Sequence, residues 1–277
     1  MSGKVAVVTG ANKGIGLAIV KGLCKAGYDG DVLLTARNEA LGKEALELVK
    51  AEGFKNVVFH RLDICDQSSS LALGKFLKEK YGGLDVLINN AGIAYKVKAT
   101  EPFGEQAEVT MRTNFWGTLW VCHALFPLLR PNARVVNVSS IASKWSLDKC
   151  SPELQEKLRR TDMADEELCL MMGEFVTAAQ SGAHEAQGWP NTAYGTTKIG
   201  VTVLSRIQAR VLSETRSGDG ILLNACCPGL VRTDMAGPNA TKSPEEGAET
   251  PVYLALLPAG AKEPHGQLVW DKVVREW

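Results

Sequence analysis

Most of what would mark this chain as a membrane, nucleic-acid or metal protein is missing from it. Lys and Arg together number 31, as do Asp and Glu, so the formal net charge over 277 residues is zero. Such a balance offers no basic field to nucleic acid or to an anionic membrane, and points instead to a small, largely neutral ligand. No apolar run approaches the ~20 residues that span a bilayer, and a strand-like segment begins at Val5 with no charged-then-apolar leader before it. A cytoplasmic protein is expected. The seven cysteines (24, 65, 122, 150, 169, 226 and 227) are odd in number and lack paired metal-type spacing, which favours reduced thiols. The four histidines (60, 123, 184 and 265) are not placed with acids or cysteines at ligand spacing, so no metal is expected. Aromatics make up 6% of the chain, and Trp116 and Trp120, four apart on a predicted helix, read as core or interface residues. There is no internal repeat and no low-complexity tract.

What is present is a regular alternation of strand and helix. Strand-like runs occur at 5–8, 32–35, 57–62, 86–89, 134–138, 221–226 and 267–269. Helical patterns separate them, among them 38–52, 67–80, 107–126 and 195–215. That order predicts an α/β fold with a doubly wound, parallel sheet of Rossmann type and helices on both faces. With 45% hydrophobic residues, one domain covering 1–277 can bury a large core. The alternation is interrupted once. Residues 141–193 are rich in Lys, Glu, Asp and Gln and carry helical stretches at 152–159 and 165–180, an insertion of helical character.

Two local patterns carry chemistry. Val5 to Val8 lead into Thr9-Gly10-Ala11-Asn12-Lys13-Gly14-Ile15-Gly16, after which Leu17, Ile19, Val20 and Leu23 follow helical spacing. Strand, glycine turn and helix in this order let the backbone approach a pyrophosphate, which then rests on the free N–H groups of the helix start. An ordinary βα turn is the plainer alternative. Further along, Tyr194 and Lys198 stand four apart, on one face of a predicted helix. An adjacent ammonium stabilises a phenolate, so the pair is expected to bring the phenol toward physiological pH as a general acid. Surface decoration of a helix would give the same spacing.

Taken together, Thr9-Gly10-x-x-x-Gly14-x-Gly16, Asn89-Asn90-Ala91-Gly92, Ser139-Ser140, Tyr194-x-x-x-Lys198 and Pro228-Gly229 resemble the short-chain dehydrogenase/reductase family, in the family's order from residue 5 to about 235. The long Ser140 to Tyr194 segment and Arg232-Thr233-Asp234-Met235 are similar to those of its monomeric NADPH-dependent carbonyl reductases. The resemblance implies hydride transfer from a nicotinamide to the carbonyl of a ketone, aldehyde or quinone. Tyr194 would donate the proton, Ser140 would hydrogen-bond the carbonyl oxygen, Lys198 would hold a nicotinamide ribose hydroxyl, and Asn114 would anchor a water for proton relay. Strand alternation sends Ser139 and Ser140 to opposite sides, and the family register selects Ser140. Asn114 could instead be a helix Asn bonded to local backbone.

An NAD enzyme places an acid about 20 residues beyond the glycine turn, on the ribose 2′-hydroxyl. Here the second strand ends in Arg37, and Lys13 adds a second cation within the glycine loop. Both suit a 2′-phosphate and predict NADP(H). Family resemblance puts Asp63 at the adenine, Asn90 at the nucleoside, and Pro228, Gly229, Val231 and Thr233 at the cofactor, with Gly10, Asn12, Gly14, Ile15 and Gly16 of the loop; Asp63 could instead simply begin the loop after strand 57–62. An epimerase-like enzyme and a catalytically silent NADP-bound sensor remain as alternatives. Leu230 departs from the pattern, where a tryptophan is expected. The insertion predicts a monomer, because it should fold over helices that many family members use for assembly. Cys226 and Cys227 alternate at the strand end and read first as inert buried thiols; were Cys227 to face the pocket rim instead, Lys198 would favour its thiolate.

Overall fold

A sheet of eight strands forms the centre of the computed structural model, which describes residues 3–96 and 98–277. The strands are β1 (Val5–Val8), β2 (Asp31–Ala36), β3 (Val57–Arg61), β4 (Leu84–Asn89), β5 (Leu129–Val138), β6 (Leu222–Cys227), β7 (Leu268–Trp270) and β8 (Val273–Arg275), ordered β3-β2-β1-β4-β5-β6-β7-β8. The first seven pair in parallel, and β8 runs antiparallel on β7. Parallel strands covered on both faces need apolar side chains at every position, and β1 and β6 are buried throughout. The strand order reverses between β1 and β4, which opens a crevice at their carboxyl ends.

Alternate residues of each strand feed two cores. Val8, Leu34, Ile88 and Val136 point to one face, where they meet Ile19, Val20 and Leu23 of α1 (Gly14–Lys25), Val49 of α2 (Glu39–Ala51) and Leu254 of α10 (Pro244–Ala255). Val7, Leu33, Leu87 and Val135 point to the other, against Leu73 and Leu77 of α3 (Gln67–Tyr81), Val121 and Leu125 of α5 (Gly117–Leu125), and Leu212 of α9 (Ala193–Thr215). The period of two is what makes this division possible. Side-chain caps mark five of the helix starts: Asn38, Asp66, Ser151 and Thr192 accept from backbone N–H groups, and Ser243 with Glu246 forms a reciprocal capping box. α1 has no side-chain cap.

The insertion contains α6 (Ala142–Leu147), α7 (Pro152–Arg159) and α8 (Asp165–Gln180). The expected stretches 152–159 and 165–180 match α7 and α8. Together with α4 (Phe103–Met111), these helices and α9 share a third core, in which Met171, Met172 and Phe175 of α8 pack with Met111 and Phe115 on one side and Ile199 and Val203 on the other. Phe103 meets Phe175 edge-on at 6.3 Å between centroids, and Trp189 lies 5.5 Å from the same ring.

Three elements were not foreseen. α6 is too short to show a period. α10 hides behind Pro244 at its first turn and Pro251 in its interior, both of which read as loop residues from sequence. β8 has only three residues, joined to β7 by Asp271 and Lys272, both left-handed at φ of 50° and 62°, the twist a two-residue hairpin needs, with no Asn-Gly or Asp-Gly to announce it. The helix expected at 107–126 starts at Phe103 and is interrupted by a π-turn at Arg112–Trp116 before α5.

Phe175 is fully buried where the insertion meets the sheet-covering helices. Phe175→Ala should cost about 3–5 kcal/mol, the usual range for deleting a buried aromatic ring, read as a lower urea midpoint with an unchanged slope.

Candidate active site

The glycine loop is shaped from behind by the turn after β4. Thr9 Oγ1 accepts the backbone N–H groups of both Asn90 and Ala91 at 3.0 Å. The Asn90 side-chain amide answers by donating to the carbonyls of Thr9 and Gly10, at 3.0 and 3.1 Å. Gly10 is left-handed at φ of 61°, and a Cβ there would lie 2.8 Å from the Cα of Ala91. A Cβ on Gly16 would run into the Gly10 carbonyl and approach Asn90 Nδ2 to 2.6 Å. The two turns are therefore packed backbone to backbone, which only glycine permits. Ile15 packs into the first core, and with no side-chain cap on α1 its first N–H groups are available to an anion.

The second half of the site is built on α9. Thr192 caps the helix by accepting from Gly195 N at 3.1 Å, so Tyr194 lies in its first turn and Lys198 in its second. The Ser140 hydroxyl is close enough to the Tyr194 phenol to favour its ionised form. Ser139 faces the other way: its hydroxyl donates to Lys198 O at 3.2 Å and lies 2.6 Å from Thr202 Oγ1. Adjacent serines thus divide between helix packing and the open side, as their alternation predicts. Asn114 is buried within the π-turn. Its Oδ1 accepts Ile93 N at 2.8 Å, and its Nδ2 donates to Ile93 O at 2.9 Å and to Thr197 Oγ1 at 3.1 Å. All of the side chain's bonds named here join loop 89–93 to α9, a structural part of its role beside the expected relay. π-Turns recur at functional sites.

The electrostatics correct one expectation. Burial is the first influence on Tyr194 and pushes its phenol up to about 12; the neighbouring Ser140 hydroxyl lowers it, and Cys227 raises it. Lys198 does not depress it. The reason is geometric: Lys198 Nζ donates to the Val138 carbonyl at 2.8 Å, and lies 5.5 Å from the centre of the Tyr194 ring. Burial also brings Lys198 itself down to about 8, which reduces its charge as the pH rises through that value.

Several other residues are engaged differently from expectation. Lys13 pairs with Asp234 at 2.7 Å, both largely exposed, across the mouth of the crevice. The Asn90 amide is committed to the loop carbonyls, so any effect on a nucleoside passes through loop shape. Asp63 holds its own turn by accepting Cys65 N at 2.9 Å, the plainer of its two readings. Asn12 is half-buried and Arg37 is exposed at the end of β2. Pro228 and Gly229 follow β6, where Gly229 is left-handed at φ of 84°. Beyond them Val231 bridges to Lys242, and the Thr233 methyl would lie 3.2 Å from a Cβ on Gly14. Cys226 enters the first core while Cys227 turns toward Ser140, in the expected alternation. Burial nevertheless raises the Cys227 thiol; the Gly229 N–H, donating to its sulfur at 3.4 Å, and the neighbouring Ile141, Ser140 and Lys242 oppose this only in part. Of the two readings, the inert buried thiol is the one that this burial favours.

The sequence reading missed Thr9, Thr197, Thr202 and Asp234. Thr197 and Thr202 sit one residue before and four after Lys198, a spacing that could have flagged them; nothing local could have paired Lys13 with a residue 221 positions away. Among the described residues, no group of three or more His, Cys, Asp or Glu could hold a metal ion, and no helix is long and apolar enough to cross a membrane.

Comparison with known proteins agrees with this geometry. Carbonyl reductase (NADPH) 1 of Homo sapiens is 62% identical over 273 residues, covering 99% of this chain and 98% of the human protein, and its counterpart in Bos taurus is 61% identical with the same coverage. Among solved structures, salutaridine reductase from Papaver somniferum superposes with a TM-score of 0.86 at 32% identity, covering 97% of this chain and 99% of that one. Menthone neomenthol reductase from Mentha piperita gives 0.79 at 30%, covering 98% and 99%. The family model described as short chain dehydrogenase matches residues 4–152, and the chain belongs to that family.

Proposed function

We propose that this protein is an NADPH-dependent carbonyl reductase acting on ketones, aldehydes or quinones of low polarity, with residues 1–277 as one NADP-binding domain. The observation that carries the reading is the gathering of Ser140, the Tyr194 phenol and a buried Lys198, whose Nζ lies 5.5 Å from the Tyr194 ring centre, at the carboxyl edge of the sheet. The extensive identity to carbonyl reductase (NADPH) 1 supports the same chemistry. The residues at the crevice fit the cofactor: an uncapped helix start behind a glycine loop suits a pyrophosphate, and an exposed Arg37 at the end of β2 suits a 2′-phosphate.

When bound, NADPH supplies the hydride that reaches the carbonyl carbon. Gly10, Asn12, Gly14, Ile15 and Gly16 shape the pyrophosphate cradle, with Asn90 holding it from behind. Arg37 attracts the 2′-phosphate, and Lys13 joins it by exchanging its Asp234 partner. Asp63, beside holding its own turn, would lie toward the adenine, and Pro228, Gly229, Val231 and Thr233 would border the cofactor, as the family resemblance implies. Ser140 donates to the substrate oxygen as charge develops there, and Tyr194 delivers its phenolic proton to the same oxygen. Lys198 takes a ribose hydroxyl in place of the Val138 carbonyl, and Asn114 holds the relay water near α9. Leu230 and Met235, both exposed after Pro228-Gly229, favour an apolar substrate.

We also read the protein as a cytoplasmic monomer. The insertion buries its own apolar residues against α4 and α9, the helices that would otherwise be free for symmetric pairing. Seven free thiols suit a reducing compartment.

Tyr194→Phe should lower kcat by about 100-fold or more with NADPH affinity retained, because it deletes the proton donor and little volume. Quinone-dependent NADPH oxidation and NADPH fluorescence titration measure the two effects, and retention of a tenth of kcat would exclude the assignment. Arg37→Asp should shift the NADPH/NADH ratio of kcat/KM by about tenfold or more toward NADH, by exchanging attraction of the 2′-phosphate for repulsion. The pH dependence follows from the raised phenol. Reduction needs Tyr194 protonated, as it is well below about 12, so its titration should not limit reduction between about pH 6 and 9. Alcohol oxidation needs the phenolate, so its rate should rise about tenfold per pH unit over that window.

A further inference from the structure

The turn that begins with Ser140 is anchored from a distant part of the chain. Ser140 O accepts Ser143 N at 3.0 Å and Ser140 Oγ accepts Ala142 N at 3.1 Å, so the start of α6 is wrapped around this residue. On the strand side, Ser139 N donates to Cys226 O at 2.8 Å, which holds the start of the turn to β6. The remaining anchor is Trp277. Its indole N–H donates to Ser143 Oγ at 2.9 Å across 134 positions of sequence. Ser143 is fully buried, and the indole packs against the third core. The Arg206 guanidinium lies 5.4 Å from the ring centre, the range of a cation–π contact.

These contacts place Trp277 between the two halves of the catalytic apparatus. Ser143 stands one helical turn beyond Ser140, and Arg206 stands on α9 two turns beyond Lys198. An indole donates one hydrogen bond and accepts none, so the seat of the ring and the position of Ser143 define each other. α6 is only six residues long and cannot hold its own orientation as an isolated helix.

We propose that Trp277 is a positioning residue for carbonyl reduction: through the Ser143 hydroxyl it fixes the Ser140 turn relative to the helix that carries Tyr194. The inference rests on the roles given to Ser140 and Tyr194 above. A contact that only fastened the last residues to the fold would change stability and leave turnover alone.

Steady-state kinetics of Trp277→Phe, Ser143→Ala and the double variant on a simple quinone, with NADPH affinity from fluorescence, test it. Each single change should lower kcat about fivefold, the scale of one hydrogen bond lost, with the NADPH Kd unchanged. The double variant should be no slower than the slower single one, because both remove the same bond. Wild-type kcat with only a lowered Tm, losses that multiply in the double variant, or a loss confined to NADPH affinity would each overturn the proposal. Should Ser143→Ala not fold, Trp277→Phe decides alone, since it keeps the ring of a half-buried residue. Ser140→Ala separates the two levels. Full activity in Ser140→Ala would remove the reading of the reaction and this inference with it, whereas an inactive Ser140→Ala beside an unaffected Trp277→Phe would remove the inference only.

Discussion

The clasp between Thr9-Gly10 and Asn90-Ala91 is the constraint on which the rest of the site depends. It is made of one hydroxyl accepting two backbone N–H groups and one side-chain amide donating to two carbonyls. It sits where the strand order reverses, so β1 and β4 cannot separate at that end without leaving buried polar groups unpaired. Everything that would meet a dinucleotide is arranged around it. Asn114 extends the same chain of contacts through Ile93 to Thr197, and so ties the cofactor half of the crevice to the helix of Tyr194 and Lys198.

Burial governs the chemistry more than proximity of charge does. A phenol removed from water holds its proton more tightly, whereas an ammonium removed from water gives its proton up more readily. Tyr194 and Lys198 therefore move in opposite directions, to about 12 and about 8, which brings their affinities for a proton less close to equality than the plain spacing of the pair suggests. For a reductase this is a favourable bias, since the group required in the forward direction is the protonated phenol. The Ser140 hydroxyl beside the phenol is the first opposing influence, which makes the placement of that serine bear on acidity as well as on substrate orientation.

The fold was legible because its strands are short apolar runs and its helices long enough to show their period. The glycine loop, Tyr194 and Lys198 stand out in the chain because each lies within a few residues of its structural signal, whereas the choice of Ser140 over Ser139 came from the family register. What escaped was either shorter than one period, such as α6 and β8, or decided by partners far away in sequence. The cation at Lys13 is visible in the chain, yet its engagement with Asp234 is not. Lys198 stands four residues from Tyr194 as read, yet its ammonium turns to the Val138 carbonyl, because a buried donor takes the strongest acceptor within reach. The π-turn at Arg112–Trp116 is a local change in helix pitch with no composition of its own.

The hairpin that closes the sheet bears on how the protein coexists with its own copies in a crowded solution. A parallel sheet ending at β7 would present an unpaired edge beside Trp270. Instead β8 turns back and covers it with three residues, and its Val273 and Val274 are exposed over so short a length that they offer little template for a foreign strand. The turn is pinned to α10, where Lys272 donates its backbone N–H to Thr250 Oγ1 at 3.2 Å and pairs with Glu249 at 2.8 Å. At the opposite edge β3 ends in His60 and Arg61, and charge discourages the same event there. The two margins of the sheet are thus guarded by different means, brevity on one side and charge on the other, against the ordered aggregation that an open β-edge invites.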